Sequence, residues 1–477
     1  MIEKTKPALF IALTLILSSI ILLLFFSASL AAPVSSSAVH KGPVPPIVSG
    51  YGAWGSPNVI TTSFQFLTSP GYTNTVTIYH AVTQTRPAPA VFFAPGWNVP
   101  CEDYGQLLRF LAGKGYAVAC DDYQEDTSEI GIQLNESFSH TVSIYKSIFE
   151  TDHFGVIGHS SGAGLLPSLA YDFIRNKHWG GANGEHAFIL EAAPWFDFDI
   201  TDAKLADYPA KVKLLLLVGE NDQSTDWRTY VDQFESIPIP DTEKDFIILR
   251  ESTVQTYTYT ASHPIIATGN QSGYGVYDAM DDYGVFRLVD ALADYTFHGN
   301  NSAKPTALGD GRETQIEMGS LRDLISTDDP RPIPGQTYDY PCNADINPRK
   351  SHCADYDHEL PGAVLITPTK HIHISKAAPI FRWEPVPTAN QYFLQIRPLL
   401  PNGEPNWNIS FGESVSAADA SCTAGTQSCS HAIANSLPAG EYVWWIKGYS
   451  NTLASVWSRR GYFSELGFVY LPFIGGH

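Results

Sequence analysis

The chain has 477 residues, more than one ordinary domain, with 44% hydrophobic residues to build cores. Its 29 basic and 49 acidic side chains give a formal charge of −20, which repels phosphate backbones and anionic membranes and argues against a nucleic-acid partner. The acidity lies in the first three-quarters, since residues 361–477 carry seven basic and six acidic side chains.

Residues 1–31 read as a signal peptide. Lys4 and Lys6 precede a long apolar run that ends in Ser29-Leu30-Ala31, with cleavage expected after Ala31. About 20 apolar residues also suffice to span a bilayer, so an uncleaved anchor is the minority reading. In both cases the rest of the chain is exported and the protein is secreted or held outside the cell. Residues 32–50, rich in Pro, Ser and Gly, read as a linker.

From 51 to 300 the pattern is that of an α/β domain. Two β-like runs, ITTSFQFL and NTVTIYHAV, flank a Pro-Gly turn signal and predict an antiparallel edge. Apolar strands then alternate with helical stretches: AVFFAPG, YGQLLRFLAGKG, YAVACDDY, ESFSHTVSIYKSIFE, FGVIGHS, GAGLLPSLAYDFIRN, HAFILEAAP, KVKLLLLVGEND, WRTYVDQFESI, KDFIILR and YGVFRLVDALADYTF. Continuous apolar strands separated by helices predict a mainly parallel sheet covered on both faces, the α/β-hydrolase arrangement.

Residues 301–360 lose this rhythm and read as an irregular extension. Asp345, Asp355 and Asp357 there match no calcium loop, so a solvated acidic loop is expected. From 361 to 466, PIFRWEPV, NQYFLQIRP, GEYVWWIKGYS and SRRGYFSE alternate with turns and predict a β-sandwich of immunoglobulin scale. Residues 467–477 form an apolar tail.

Six cysteines, an even number, suit an oxidising compartment. They fall as neighbours, so the simplest connectivity is Cys101–Cys120, Cys342–Cys353 and Cys422–Cys429. No CxxC spacing invites zinc.

The chemistry starts at Gly158-His159-Ser160-Ser161-Gly162, which fits G-x-S-x-G. By composition roughly one chain in six of this length carries such a pentapeptide, so its setting matters more than its letters. A strand before it and a helix after it are what a nucleophile elbow demands. Ser160 is then the nucleophile, and Ser161 offers its backbone N–H to an oxyanion. In this fold the partners follow in the order Ser, acid, His. Asp222, just past a strand end, is the expected acid, ahead of Glu220 and Asp226; any of the three could instead be a solvated loop carboxylate. His263 is the expected base, ahead of His298, while His140, His153 and His159 stand too early in the chain. The second oxyanion donor is expected after the third strand, where Gly96 permits a close approach and Trp97 offers its N–H.

VFFAPGW, GHSSGAG, EAAPW, LLLLVGEND and ASH occur in order. Together they resemble the α/β-hydrolases grouped around dienelactone hydrolase, chlorophyllase and the cutinase-like polyester (PET) hydrolases, over residues 50–300. The resemblance implies Ser160, Asp222 and His263 as triad, Trp97 and Ser161 as oxyanion donors, and Trp195 as a substrate-facing aromatic beside Trp97. The chain departs from dienelactone hydrolases in having serine rather than cysteine as nucleophile, and from polyester hydrolases in having Ser161 where they usually carry Met. FRWEPVPTANQYFLQI and SLPAGEYVWWIKGYS resemble the fibronectin type III pattern, Trp383 matching its early-strand Trp and Tyr442 its tyrosine corner.

The expected function is a secreted serine esterase that needs no cofactor or metal and acts on an ester substrate, polymeric or lipidic esters included. The alternatives are a peptidase or amidase on the same scaffold, and a noncatalytic surface-binding protein with a relic hydrolase domain. The β-domain holds five of the ten tryptophans, Trp383, Trp407, Trp444, Trp445 and Trp457. A spacer is its plainest role, and binding of a surface, polymer or glycan the more specific one.

Overall fold

The computed structural model describes residues 39–465, apart from residues 70, 84–86, 125–128, 270–273, 332–335, 357–358, 370, 375–378, 404, 423–427 and 435. The expected signal peptide, the first part of the linker, Asp357 and the apolar tail lie outside the described residues.

Strands β1 (Val59–Leu67), β2 (Thr73–Ala81), β3 (Ala88–Ala94), β4 (Ala117–Asp122), β5 (Phe149–His159), β6 (Ala187–Ala192), β7 (Lys213–Gly219) and β8 (Lys244–Leu249) form one large sheet. Their order is β1-β2-β4-β3-β5-β6-β7-β8, and Ile325–Thr327 closes the far edge. β3 to β8 pair in parallel, while β1, β2 and Ile325–Thr327 pair antiparallel.

The apolar runs explain why these strands sit inside. Side chains alternate across a strand, so a strand covered on both faces is largely apolar on both. Val91 and Phe93 of β3 face one core with Ile157, Leu190, Leu215 and Leu217. Ala90, Phe92 and Ala94 face the other with Val156, Ile189, Leu214 and Leu216. Helices Gly105–Gly113 and Arg287–His298 cover the first face through Leu107, Leu111, Leu288 and Leu292. Ile130–Ile144, Leu166–Lys177 and Trp227–Ser236 cover the second through Phe138, Phe173 and Phe234. Phe92 lies under this layer, its ring 4.6 Å from that of Phe138. Truncating such a side chain costs about 3–5 kcal/mol.

The chain leaves β3 toward β4 on one side, then returns to β5 on the other. The loops at the carboxyl ends of β3 and β5 therefore part, and the crevice between them is where sheets of this kind hold ligands.

Three local features differ from expectation. The helix after β5 is two helices, Ser161–Gly164 and Leu166–Lys177, because Pro167 has no N–H to continue one and restarts the other. The irregular extension supplies an edge strand, Ile325–Thr327, whose three residues are too few to show a period. The described end of the linker is tied down: Val44 N–H donates to Tyr259 Oη at 2.9 Å and Lys41 N–H to the Tyr277 carbonyl at 3.0 Å.

The C-terminal region is a sandwich of two β-sheets. One holds Gln391–Pro398 antiparallel to both Phe411–Ser416 and Gly440–Tyr449. The other pairs Ile380–Trp383 with Cys429–Ala432. Trp383, Tyr392, Leu394, Trp444 and Ile446 fill the space between them. Tyr442 Oη donates to the Pro438 carbonyl at 2.8 Å, pinning the turn before its own strand. The sandwich meets the large sheet through Arg250–Glu384 and through Arg459, which reaches Asp245 at 2.9 Å.

All three disulfides join the neighbours expected: Cys101–Cys120, Cys342–Cys353 and Cys422–Cys429. Such bonds belong to an oxidising, extracellular setting. Among the described residues no helix is long and apolar enough to cross a membrane.

Candidate active site

β5 ends at His159 and the next helix begins at Ser161, so Ser160 alone makes the turn, at φ 52° and ψ −121°. A residue other than glycine sits there at a cost of about 1–3 kcal/mol, which the surroundings must supply. They do so by close packing. A Cβ on Gly158 would stand 2.7 Å from Ala163 N, and one on Gly162 would stand 2.3 Å from the Ala94 carbonyl. The Ser160 N–H donates to the Ala192 carbonyl at 3.0 Å, and its own carbonyl accepts from Gly164 and Trp195 at 2.9 Å each. The hydroxyl is thereby presented at the carboxyl edge of the sheet.

His263 meets it there. His263 Nε2 lies 2.9 Å from Ser160 Oγ and Nδ1 lies 2.9 Å from Asp222 Oδ2. Asp222 is wholly buried, and its carboxylate is satisfied by four donors. Oδ1 accepts from the Ser224 N–H at 2.8 Å and the Thr225 N–H at 3.4 Å, and Oδ2 accepts from Thr225 Oγ1 at 3.3 Å as well as from His263. A buried carboxylate with this many donors is held in place. The three residues singled out from the sequence thus form one hydrogen-bonded line.

The alternatives are engaged elsewhere. Glu220 pairs with Arg322 at 2.8 Å, and Asp226 caps the helix Trp227–Ser236 while pairing with Arg228 at 2.7 Å. His298 is exposed and bonds Asp294, His153 bonds Glu150, and His140 stacks on Phe66. In the acidic extension, Asp345 pairs with Lys350, and Asp355 lies beside His352.

Gly96 follows β3 and packs against Ser160: a Cβ there would fall 3.3 Å from Ser160 Cβ. Its N–H donates to Tyr104 Oη at 3.0 Å. Trp97, the next residue, is partly exposed and lays its ring on that of Trp195, 5.7 Å away and 26° from parallel. The Ser161 hydroxyl is occupied by Tyr123 Oη at 2.7 Å, which also bonds the Pro95 carbonyl. Trp195 is only 4% exposed. On it also packs the exposed ring of Tyr340, 5.3 Å away.

Tyr340 and Gln336 are site residues that sequence reasoning missed. Gln336 Nε2 donates to the Asp222 carbonyl and Tyr340 N–H to the Ser224 carbonyl, at 2.9 and 2.8 Å. The extension thus buttresses the acid loop, and Cys342 N–H anchors it on Asp226 Oδ2. The only signal in the sequence was Cys342 itself, whose bond to Cys353 marked this stretch as held in place.

Burial shapes the charges around the sheet. Asp121, on β4, is pushed up to about 7 by desolvation, against the opposing bonds from Asn74 and Ser137. Asp197 rises to about 7 and Glu191, on β6, rises well above the usual carboxylate range, both chiefly by burial. His159 moves the other way, down to about 3, by burial and then by the neighbouring His263.

No protein-family model matches the chain, and no curated protein matches it in sequence. The arrangement has to be read from its own chemistry.

Proposed function

We propose that the protein is an exported serine esterase of the α/β-hydrolase type, akin to the dienelactone hydrolase, chlorophyllase and cutinase-like polyester hydrolase group. The observation that carries this reading is the unbroken line Ser160 Oγ–His263 Nε2, His263 Nδ1–Asp222 Oδ2, with both contacts at 2.9 Å. His263 takes the Ser160 proton as Oγ attacks the ester carbonyl, forming a tetrahedral intermediate. Asp222 keeps the Nδ1 proton oriented and stabilises the imidazolium. The proton then passes to the leaving alcohol, and water, activated by the same His263, cleaves the acyl-enzyme.

The backbone N–H groups of Trp97 and Ser161 are the oxyanion donors in this reading, each worth about 3–4 kcal/mol to the transition state. Gly96 N–H is already given to Tyr104, so the donor from that loop falls to Trp97. Trp97 and Tyr340, both exposed and both packed on Trp195, offer apolar surface to an acyl or alcohol group.

The β-domain is the surface-binding part. Trp445 lies on the outer face of the sandwich, its ring 6.0 Å from Trp407 and 6.3 Å from Trp457, and both of those are exposed. Two exposed tryptophans packed about a buried third mark a contact surface, suited to a polymer or glycan. The test of the enzymatic reading is turnover of p-nitrophenyl acetate and butyrate: wild type hydrolyses both, and Ser160→Ala falls to background. Activity that survives Ser160→Ala would overturn it.

A further inference from the structure

His159 lies between Gly158 and the nucleophile and has no place in the proton path above, yet both its nitrogens are used. Its ring is wholly buried. Nε2 lies 2.9 Å from the main-chain carbonyl of His263 and Nδ1 lies 2.9 Å from Tyr104 Oη. A carbonyl only accepts, so Nε2 carries the proton and Nδ1 is bare. Tyr104 O–H therefore donates to Nδ1, and the Tyr104 oxygen accepts from Gly96 N–H at 3.0 Å. Hydrogen bonds of one polarity run from Gly96 through Tyr104 and His159 to the backbone of His263.

We propose that His159 is a positioning residue, which clamps the main chain of the base His263 to the strand end that bears Ser160 and to the loop that begins at Gly96. This rests on the esterase reading of Ser160 and His263.

The geometry of the base loop makes such a clamp necessary. His263 lies in a turn outside regular structure. From the β7 side it is held through Asn221 N–H to the Ala261 carbonyl at 2.9 Å. From the β5 side the His159 bond is the matching hold, one peptide unit from the nucleophile. With both in place, the distance from Nε2 to Oγ is fixed by short covalent links rather than by a mobile loop.

The choice of histidine follows from charge. The two imidazole rings are 4.9 Å apart, and His263 becomes positive during each proton transfer. A cation at position 159 would oppose that step, whereas a buried neutral imidazole provides a donor and an acceptor without charge. Phenylalanine would fill the space and leave the Tyr104 hydroxyl without its acceptor. Glutamine can place an amide N–H near the Nε2 position and keep the bond to His263.

The test uses the full chain with p-nitrophenyl butyrate. His159→Phe is expected to lower kcat roughly 10- to 100-fold, the scale of a small misplacement of a reacting group, with KM changed less than about twofold. His159→Gln is expected to recover most of that loss, and Tyr104→Phe to lie between. Thermal unfolding of each variant shows which are folded; if His159→Phe is not, the Gln and Tyr104→Phe variants decide. Nitrogen-15 spectra of Ser160→Ala give a readout independent of turnover, the expected result being a His159 that is neutral, protonated at Nε2 and unchanged from pH 8 to 5. A His159→Phe enzyme with wild-type kcat, or a His159 protonated at Nδ1, would overturn the clamp and leave the esterase reading standing. A wild-type protein without Ser160-dependent turnover would overturn both.

Discussion

The Asp222 carboxylate and the His263 imidazole, 41 residues apart in sequence, meet through a 2.9 Å contact in which the acid is fully buried and the base partly so. Nδ1 must donate in that contact, because the carboxylate has no proton to give. His263 therefore presents a bare Nε2 to Ser160, the tautomer a general base needs. Asp222→Asn keeps the shape but can turn an amide donor toward Nδ1 and favour the wrong tautomer. The expected result is a loss in kcat of roughly 10³- to 10⁴-fold, with little change in thermal stability, measured by ester turnover and calorimetry.

Gly162→Ala tests the turn. Its Cβ would fall 2.3 Å from the Ala94 carbonyl and 2.4 Å from that of Pro95. Neither is a flexible side-chain end, so β3 and the turn must separate. Activity should disappear, and the midpoint of denaturant unfolding should fall by the equivalent of about 2–4 kcal/mol.

Stability should depend on Asp121 with a definite sign. Its folded-state value of about 7 lies above the ordinary carboxylate value of 3.8, so the folded state binds the proton more tightly. The stability it contributes is full below about pH 4 and is lost as pH rises through 7. Asp121→Asn, neutral at every pH, should therefore be more stable than wild type at pH 8, by something on the order of 4 kcal/mol. The gain should shrink toward pH 5. Urea titrations at the two pH values measure the difference.

The extension should matter to both stability and catalysis. Replacing Cys342 and Cys353 with serine opens a loop with a separation of 11 residues, worth about 3 kcal/mol by loop entropy. Gln336→Ala, which loses the bond to the Asp222 carbonyl, should lower kcat several-fold while leaving unfolding nearly unchanged. A Gln336→Ala enzyme with full activity would separate the extension from the site.

Much of this was legible in the sequence, for physical reasons. β3, β6, β7 and β8 carry the apolar cores VFF, FIL, LLLLV and FIIL, and such runs are stable only between two layers. Ser160, Asp222 and His263 could be picked because each follows a strand end in a fixed order. The cysteines pair as neighbours because each partner lies within a short loop of the other. What escaped depends on long-range packing. Trp195 reads as a substrate-facing ring from its place in EAAPW, but Trp97 and Tyr340 lie against it, and the latter comes from a stretch 145 residues later with no regular pattern. His159 reads as a bystander because its partners are a hydroxyl 55 residues before it and a carbonyl 104 residues after it. The strand Ile325–Thr327 is too short to announce itself.

A Ser160 nucleophile activated by His263 is distinguished from an ordinary turn serine by active-site labelling. The full chain is treated with a fluorophosphonate and digested, and the adduct is located by mass spectrometry. One adduct is expected, on the peptide carrying Ser160, with labelling strongly slowed in His263→Ala. An unlabelled Ser160, or an equal rate of labelling in His263→Ala, would contradict it.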